Sequence, residues 1–231
     1  MSIWAIADLH LGNAVNKPMD IFGDQWGNHQ EKIKEGWQSV VGEGDLVIIP
    51  GDISWAMQLS EAVFDLEWIA SLPGKKVMVR GNHDYWWSSL KKIQEILPES
   101  LSVIQNNHFP WGDIAVCGTR GWLSPEDQRS ASEADEKIYR RELQRLELSL
   151  KSARESGFEK IIAALHFPPF AYGMKSSGFT QLISEYKVKY CIYGHLHAEA
   201  IKNAFVGESE GVEYVFASAD FLNFTPTLVL G

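Results

Sequence analysis

The chain has 231 residues, of which 45% are hydrophobic, so it can bury a sizeable core in a single globular domain spanning residues 1–231. Its formal net charge of −9 argues against binding along nucleic-acid backbones, because surfaces that do so are usually basic. No apolar run reaches the ~20 residues that a membrane-spanning helix needs, which argues against a membrane protein.

The N-terminus and the two cysteines indicate the cellular setting. The first residues show no basic stretch followed by an apolar one, so no secretion signal is predicted. Cys117 and Cys191 each lie inside an apolar run, where buried reduced thiols are expected and a disulfide is the alternative. We therefore expect a cytoplasmic protein.

Five short apolar runs of strand length end abruptly in polar residues. In chain order the runs are residues 3–7, 46–50, 77–79, 161–165 and 190–193. They are continuous rather than alternating in hydrophobicity, which is typical of strands buried on both faces. The helix-like stretches between them are residues 30–41, 60–71, 88–97 and 180–187. Strands that alternate with helices predict an α/β layered domain.

Three further strand-like segments have fewer helices between them. They are residues 114–117, 212–217 and 227–230, and we expect a second sheet packed on the first. Residues 135–156 are highly charged and helical in period, with Leu146 and Leu150 on one apolar stripe. The simplest interpretation is an exposed surface helix, and a lid over the functional site is the alternative.

The polar residues that follow the five apolar runs are all of metal-ligand types. They are Asp8, His10, Asp52, Asn82, His166, His195 and His197. Ligands of open α/β sheets gather at the carboxyl ends of the strands, so we expect these side chains to meet at one edge. Imidazole with carboxylate suits zinc, iron or manganese better than calcium. His29 and His108 lie in polar stretches and are expected at the surface.

Five short motifs occur in a fixed order between residues 8 and 197. They are Asp8-Leu9-His10, Gly51-Asp52, Gly81-Asn82-His83-Asp84, His166 and Gly194-His195-Leu196-His197. This ordered set resembles the motifs of the calcineurin-like metallophosphoesterase superfamily. The resemblance implies a four-layer αββα sandwich of two mixed β-sheets flanked by helices, with the site on loops at one edge.

The resemblance also implies a role for each residue in the hydrolysis of phosphate esters. Asp8, His10 and His197 would bind the first of two divalent metal ions, Asn82, His166 and His195 the second, and Asp52 would bridge them. A metal-bridging hydroxide would attack in line, because coordination by metal lowers the pKa of water to near 7. His83 would lie beside the scissile phosphate, and Asp84 would hold its ring.

Several other residues near the motifs are weaker candidates. Arg120, in a glycine-flanked turn, could contact the phosphate through its guanidinium fork. The aromatic residues that follow the motifs are Tyr85, Trp86, Trp87, Trp55, Trp122 and Tyr172. They either pack in the core or form an apolar wall for a substrate ring. Residues 13–26 exceed what a connection requires, and they either shape the substrate pocket or form a surface loop.

The sequence favours an active phosphomonoesterase or phosphodiesterase acting on a small-molecule phosphate ester. A nuclease or nucleic-acid end-processing enzyme is the alternative within enzymes, and an inactive scaffold with the same fold is the alternative outside them. The choice among manganese, iron and zinc stays open at this stage, as do the substrate and the oligomeric state.

Overall fold

The computed structural model describes residues 1–15, 17–125, 132–171, 173 and 175–231. The strands within these residues are β1 (Ile3–Ala5), β2 (Leu46–Ile49), β3 (Lys75–Val79), β4 (Leu101–Ile104), β5 (His108–Trp111), β6 (Ile114–Thr119), β7 (Lys160–Leu165), β8 (Tyr190–Tyr193), β9 (Gly207–Ser209), β10 (Val212–Phe216) and β11 (Thr227–Leu230). The α-helices are α1 (His29–Val40), α2 (Leu59–Ala70), α3 (Leu90–Gln94), α4 (Glu133–Glu155) and α5 (Gly178–Glu185). Short 3-10 helices form at Asp20–Phe22, Asp24–Trp26 and Ala198–Asn203.

The strands form two mixed sheets. The first has the order β11-β1-β2-β3-β4, in which only β11 is antiparallel to its neighbour. The second has the order β5-β6-β7-β8-β10-β9, in which the two edge strands are antiparallel to theirs. Parallel neighbours end at the same edge of a sheet, so the motif residues that follow β1, β2 and β3 leave the first sheet together.

Helices cover the outer face of each sheet, and the inner faces pack on each other. Trp37 of α1 lies in one buried cluster with side chains of α2, β2 and β3. Leu146 of α4 lies in a second cluster with side chains of α5, β7 and β8. The third cluster lies between the sheets and joins residues such as Ile48 of β2 and Ile162 of β7. These layers confirm the predicted αββα sandwich.

The assignment of strands to sheets differs from the sequence-based expectation. Residues 227–230 were expected in the second sheet, but β11 pairs with β1 at the edge of the first. β7 and β8, which were expected in the first sheet, lie at the centre of the second. The motif residues therefore come from both sheets, three runs from the first and two from the second.

The long helix α4 packs along the second sheet. Glu142 accepts a hydrogen bond from the Thr119 hydroxyl at 2.6 Å, and Ser149 accepts one from the backbone N–H of Gly118 at 3.0 Å. The helix buries Leu146 and Leu150 completely. It is a surface helix, as the simpler interpretation had it, and the lid interpretation is wrong. No helix in the described part of the chain combines the length and the apolar character that crossing a membrane requires.

Candidate metal centre

The loops that follow the central strands are hydrogen-bonded to one another. Asp8 donates its backbone N–H to the Gly51 carbonyl, and His10 donates to the Asp52 carbonyl, both at 3.0 Å. In the second sheet, Gly194 donates to the His166 carbonyl at 3.1 Å. These bonds continue the sheets past their strand ends, so the motif side chains start from a rigid backbone rather than from free loops.

Four of the motif residues have a left-handed backbone. The φ angles are 60° at Asp8, 46° at His10, 52° at Asp52 and 77° at His195. Residues other than glycine seldom adopt this conformation, and it carries a cost of order 1–3 kcal/mol each. Such strain concentrates at functional sites, where the surrounding contacts hold it in place.

At two motif glycines the neighbouring loop lies so close to the backbone that no side chain fits. A Cβ atom at Gly81 would lie 2.1 Å from both the backbone nitrogen and Oδ1 of Asp52. A Cβ atom at Gly194 would lie 2.5 Å from Oδ2 of Asp8. Neither contact is tolerable, so any larger residue would push apart the loops that bring these carboxylates to the site.

One group of potential ligands is formed by Asp8, His10 and His197. Their donor atoms lie within 4.8 Å of one another. Nε2 of His197 is 3.7 Å from Oδ1 of Asp8 and has no hydrogen-bond partner among the described residues. Asp8 and His10 are buried, whereas the His197 side chain is 29% exposed.

A second group is formed by Asn82, His166 and His195. Nε2 of His166 lies 2.6 Å from Oδ1 of Asn82 and 3.1 Å from Nδ1 of His195. The other ring nitrogen of His166, Nδ1, lies 3.0 Å from the Pro50 carbonyl, which can only accept a hydrogen bond. That bond places the proton on Nδ1 and leaves the lone pair of Nε2 facing Asn82 and His195.

Asp52 lies between the two groups. Its Oδ2 is 3.8 Å from Nε2 of His10 and 3.4 Å from Nε2 of His166. Its Oδ1 accepts the backbone N–H of His83 at 2.8 Å, which fixes the orientation of the carboxylate. Asp8 is also close to both groups, since Asp8, Asp52 and His166 form a second cluster of donor atoms within 4.8 Å.

The charges of the site fit divalent cations. Asp8, Asp52 and Asp84 are all buried, and burial together with the negative charges of Asp8 and Asp84 raises the pKa of Asp52 well above its usual value. Burial, and then the neighbouring His166, lowers the pKa of His195 to about 3, so this imidazole is neutral and able to act as a ligand. Carboxylates, neutral imidazoles and an amide oxygen are donors that zinc, iron and manganese accept.

Two contacts from the C-terminal part of the chain hold the first group in place. The hydroxyl of Ser218 donates to Oδ2 of Asp8 at 2.5 Å. Oδ1 of Asp220 lies 3.0 Å from Nδ1 of His197. Burial alone would lower the pKa of His197, but the hydrogen bond with Asp220 and the negative charges of Asp8 and Asp220 outweigh it and raise that pKa to about 10. The sequence analysis missed both residues because neither belongs to a motif, although both follow the predicted strand at 212–217.

His83 and Asp84 differ from the expected arrangement. Nδ1 of His83 has no hydrogen-bond partner among the described residues. Oδ1 of Asp84 instead accepts the backbone N–H groups of Ile53 and Ser54, and its Oδ2 accepts that of Gly81 at 2.7 Å. The prediction that Asp84 holds the His83 ring is therefore wrong. Asp84 ties together the loops after β2 and β3.

Arg120 is engaged with the protein rather than free for a ligand. The residue is only 9% exposed, and its guanidinium lies 3.6 Å from Glu142 and 4.4 Å from the centre of the Trp122 ring. Its Nε has no partner among the described residues. The predicted phosphate contact stays a prediction, and the observed role is to neutralise a buried carboxylate of α4.

The aromatic candidates divide between core and site. Trp86 and Trp87 belong to the core cluster of the first sheet. Trp55 is stacked on the His10 ring at 4.8 Å and lies 4.6 Å from the His83 ring. Tyr172 is outside the described residues. The core interpretation is confirmed for Trp86 and Trp87. Trp55 belongs to the same core cluster and also contacts two histidines of the site, and its role as a wall for a substrate ring stays a prediction.

His29 lies nearer to the site than expected. Its ring nitrogen Nε2 is 3.3 Å from the His10 carbonyl, and its ring packs edge-on against Trp26 at 5.5 Å. The expectation of a surface histidine is wrong, because His29 is partly buried and packs against Trp26 beside the loop that carries His10. The other expected surface histidine, His108, is partly buried, with its Nδ1 2.8 Å from the Ser152 hydroxyl.

Comparison with known proteins agrees with this geometry. A family model described as calcineurin-like phosphoesterase matches residues 1–199, most of the chain and every motif residue. The chain belongs to the calcineurin-like phosphoesterase family.

Gene 66 protein of Mycobacterium phage L5 is 36% identical over 81 residues, 35% of this chain and 39% of the phage protein. Gene 66 protein of Mycobacterium phage D29 is 38% identical over 85 residues, 36% of this chain and 40% of that protein. The chain thus matches about two fifths of the length of these curated relatives.

Solved structures with the same fold cover nearly the whole chain. Phosphopantetheinyl hydrolase from Mycobacterium tuberculosis superposes with a TM-score of 0.60 and 15% identity, over 99% of this chain and 95% of that one. TT1561 from Thermus thermophilus gives a TM-score of 0.61 and 12% identity, over 99% and 97% of the two chains. At this level of identity the likeness shows the calcineurin-like phosphoesterase fold alone.

Proposed function

We propose that this chain hydrolyses small-molecule phosphate esters with two divalent metal ions. The observation that carries the proposal is the convergence of two donor groups on one buried carboxylate, Asp52. Its Oδ2 is within 4 Å of imidazole nitrogens from both groups, on His10 and His166. Membership in the calcineurin-like phosphoesterase family supports the same chemistry.

In this proposal Asp8, His10 and His197 hold one cation, and Asn82, His166 and His195 hold the other, as the sequence motifs imply. Asp52 would contribute to both. The pair of cations would supply Lewis-acid polarisation of the phosphoryl group and activation of water near neutral pH. The chain itself would supply the fixed geometry, through the strained backbone of the ligand loops and the hydrogen bonds from Ser218 and Asp220.

His83 is the side chain best placed to act on the substrate. It is 37% exposed, and its Nε2 lies 4.0 Å from Oδ2 of Asp52. An N–H from this ring could stabilise charge on a phosphoryl oxygen or protonate the leaving oxygen, and such help is typically worth about 10²–10⁴-fold in rate. Burial, and then the nearby His166, lowers the pKa of His83 to about 4 in the metal-free site. A neutral ring still provides one N–H for the hydrogen-bonding role.

The substrate is proposed to be a small organic phosphate rather than a nucleic acid. The net charge of −9 disfavours a surface that follows a phosphate backbone. One structural neighbour is named phosphopantetheinyl hydrolase, and this name supports a small phosphorylated group as the substrate class.

The test is hydrolysis of p-nitrophenyl phosphate and bis-p-nitrophenyl phosphate by metal-stripped protein reloaded with manganese, iron or zinc. We expect turnover that requires metal. The ratio of the hydrolysis rates of the diester and the monoester identifies the type of reaction. Turnover that persists in Asp52→Ala, or that is equal with and without metal, would contradict the proposal. Absence of turnover together with stoichiometric metal binding would favour the inactive-scaffold alternative.

A further inference from the structure

An apolar pocket opens directly beside the first group of proposed ligands. Its volume is about 200 Å³. The residues that line it are His10, Met19, Phe22, Trp26, Trp55, His83, His197 and Ala198. Three of these are the histidines of the candidate site, and most of the others are apolar. A group that occupies the pocket is therefore in contact with the place where the phosphate would bind.

Two tryptophans form the rigid walls of the pocket. Trp55 is 6% exposed and lies almost parallel to the His10 ring, with an interplanar angle of 22°. Trp26 is 2% exposed and packs edge-on against both His10 and His197, at 5.8 and 5.7 Å. Because each ring is held by a histidine of the site, the walls have a fixed position relative to the metal centre.

The remaining apolar wall comes from the segment of residues 13–26. Met19 is buried, and its sulfur accepts a hydrogen bond from Nε1 of Trp55 at 3.0 Å. Phe22 stands at the rim and is 53% exposed. This segment is longer than the connection from β1 to α1 requires, and Met19, Phe22 and Trp26 within it line the pocket. The pocket-shaping interpretation of the segment is the one that the contacts favour.

The lining identifies the chemistry of the occupant. An apolar cavity of about 150 Å³ is large enough to take a benzene ring, so about 200 Å³ takes one ring with a small substituent. Aromatic walls favour a flat partner, because offset stacking and edge-to-face contacts add to the burial of apolar surface. The histidines at the base favour a group that is attached to the phosphate.

We propose that this pocket binds the organic group of the phosphate ester, and that this group is a flat apolar or aromatic ring. The inference rests on the proposed function, because it assigns a substrate class to the same site. It goes further in making Trp55, Trp26 and Phe22 the residues that set specificity.

Lys17 adds a positive charge beside Trp55, one of the pocket walls. Its amine lies 3.5 Å from the centre of the Trp55 ring. A cation in this position attracts the anionic phosphate while it leaves the apolar interior unchanged. The apolar pocket and the adjacent positive charge of Lys17 thus match an amphipathic ligand with an anionic head and an apolar ring.

The competing explanation is that the aromatic residues only position His10. The two explanations differ in what they predict for ligands that share one head group. Positioning of His10 would change the affinity for all phosphate analogues by the same factor. Binding of a ring would change only the affinity for analogues that carry one.

The experiment compares phenylphosphonate with methylphosphonate, two non-hydrolysable anions that differ in the ring. Binding to manganese-loaded protein is measured by calorimetry. We expect phenylphosphonate to bind about 10- to 100-fold more tightly, the factor for removing one ring from water. Phe22→Ala should reduce that ratio about 3- to 10-fold with little effect on methylphosphonate. Ile21→Ala is the matched control, because Ile21 is adjacent, 70% exposed and not part of the lining.

Each outcome bears on the inference. A ratio near one in the wild type, or equal weakening of both phosphonates in Phe22→Ala, would overturn it. Trp55→Leu provides a second variant, which should lower the ratio while metal content, measured by elemental analysis, stays the same. Failure of the proposed function is recognised separately. A preserved ring preference without hydrolysis of any ester refutes the esterase, whereas hydrolysis with no ring preference refutes the pocket.

Discussion

Replacing Asp220 by alanine is expected to weaken metal binding at the site while leaving the fold intact. Oδ1 of Asp220 lies 3.0 Å from Nδ1 of His197, and its side chain is only 3% exposed. A carboxylate in this position fixes the tautomer of a ligating imidazole and increases its basicity. Losing such a partner typically costs 10- to 100-fold in metal affinity, which corresponds to about 1.4–2.8 kcal/mol.

The assay is competition for manganese between the protein and a chromogenic chelator. Asp220→Asn keeps an acceptor for the His197 proton but loses the charge, so we expect it to fall between the wild type and Asp220→Ala. Glu199→Gln is the control, because Glu199 follows His197 closely, is 94% exposed and pairs only with Lys202 among the described residues. Equal metal affinities in Asp220→Ala and Glu199→Gln would refute the idea that Asp220 supports a ligand.

Four further substitutions test the assigned roles and the packing. His83→Ala should keep its metal and lose about 10²–10⁴-fold in turnover, whereas Asp52→Ala should lose metal as well, and elemental analysis alongside kinetics separates them. Trp37→Ala should lower the free energy of unfolding by about 3–5 kcal/mol in urea titrations, because Trp37 is fully buried and its indole N–H donates to a carbonyl. Arg120→Ala should lower it by about 0.5–1.5 kcal/mol, because buried Glu142 loses one partner but keeps Arg145 at 2.8 Å and the Thr119 hydroxyl at 2.6 Å. An unchanged KM for p-nitrophenyl phosphate in Arg120→Ala would contradict the prediction that Arg120 contacts the phosphate.

The candidate ligands could be identified from the sequence because metal binding restricts the residue types that can serve. A polar residue directly after a continuous apolar run needs a reason to be there, and residues such as Asp8, Asp52 and His166 all have the chemistry of metal ligands. The structure brings these side chains together. It also shows why the flanking glycines matter, since at Gly81 a larger residue would collide with Asp52.

Contacts that depend on the tertiary fold could not be predicted. Asp220 follows the predicted strand 212–217 by three residues, and it reaches His197 because β10 and β8 are parallel neighbours in the second sheet, a pairing that the sequence pattern does not specify. Asp84 has the residue type of an imidazole partner, yet the local turn directs it to backbone N–H groups. A sequence pattern indicates which side chains are available, and the tertiary structure determines which of them come into contact.

The secondary structure missed by the sequence analysis has local causes. β5 is an edge strand that contains Pro110, and a strand with proline lacks the usual alternation and ladder donor. β9 is a short polar edge strand beginning at Gly207. Helix α2 was expected at residues 60–71, but it begins at Leu59, where Gln58 caps it through a reciprocal capping box with Glu61.

The strained backbone and the buried carboxylates of the site imply that the fold loses stability in order to bind metal. This loss can be measured at Asp52. In the metal-free protein this carboxylate is buried, has a raised pKa and faces two other buried carboxylates. A raised pKa means that stability present at acid pH is lost as the pH rises from the ordinary pKa of the unfolded chain through the raised pKa of the fold, so this carboxyl group makes the fold less stable at pH 7.5 than in acid. Asparagine removes the charge and tolerates the left-handed backbone that Asp52 adopts, with φ at 52°.

Metal-free Asp52→Asn should therefore melt above the metal-free wild type at pH 7.5, by about 2–4 °C for each kcal/mol relieved. Excess manganese should reverse the order, because a ligand at 100 times its Kd stabilises the wild type by about 2.7 kcal/mol and the variant binds it poorly. Differential scanning calorimetry with and without manganese measures both arms. If the variant melts below the wild type in the absence of metal, the carboxylate stabilises the empty fold, and its presence at the centre of the site would not need a cation to explain it.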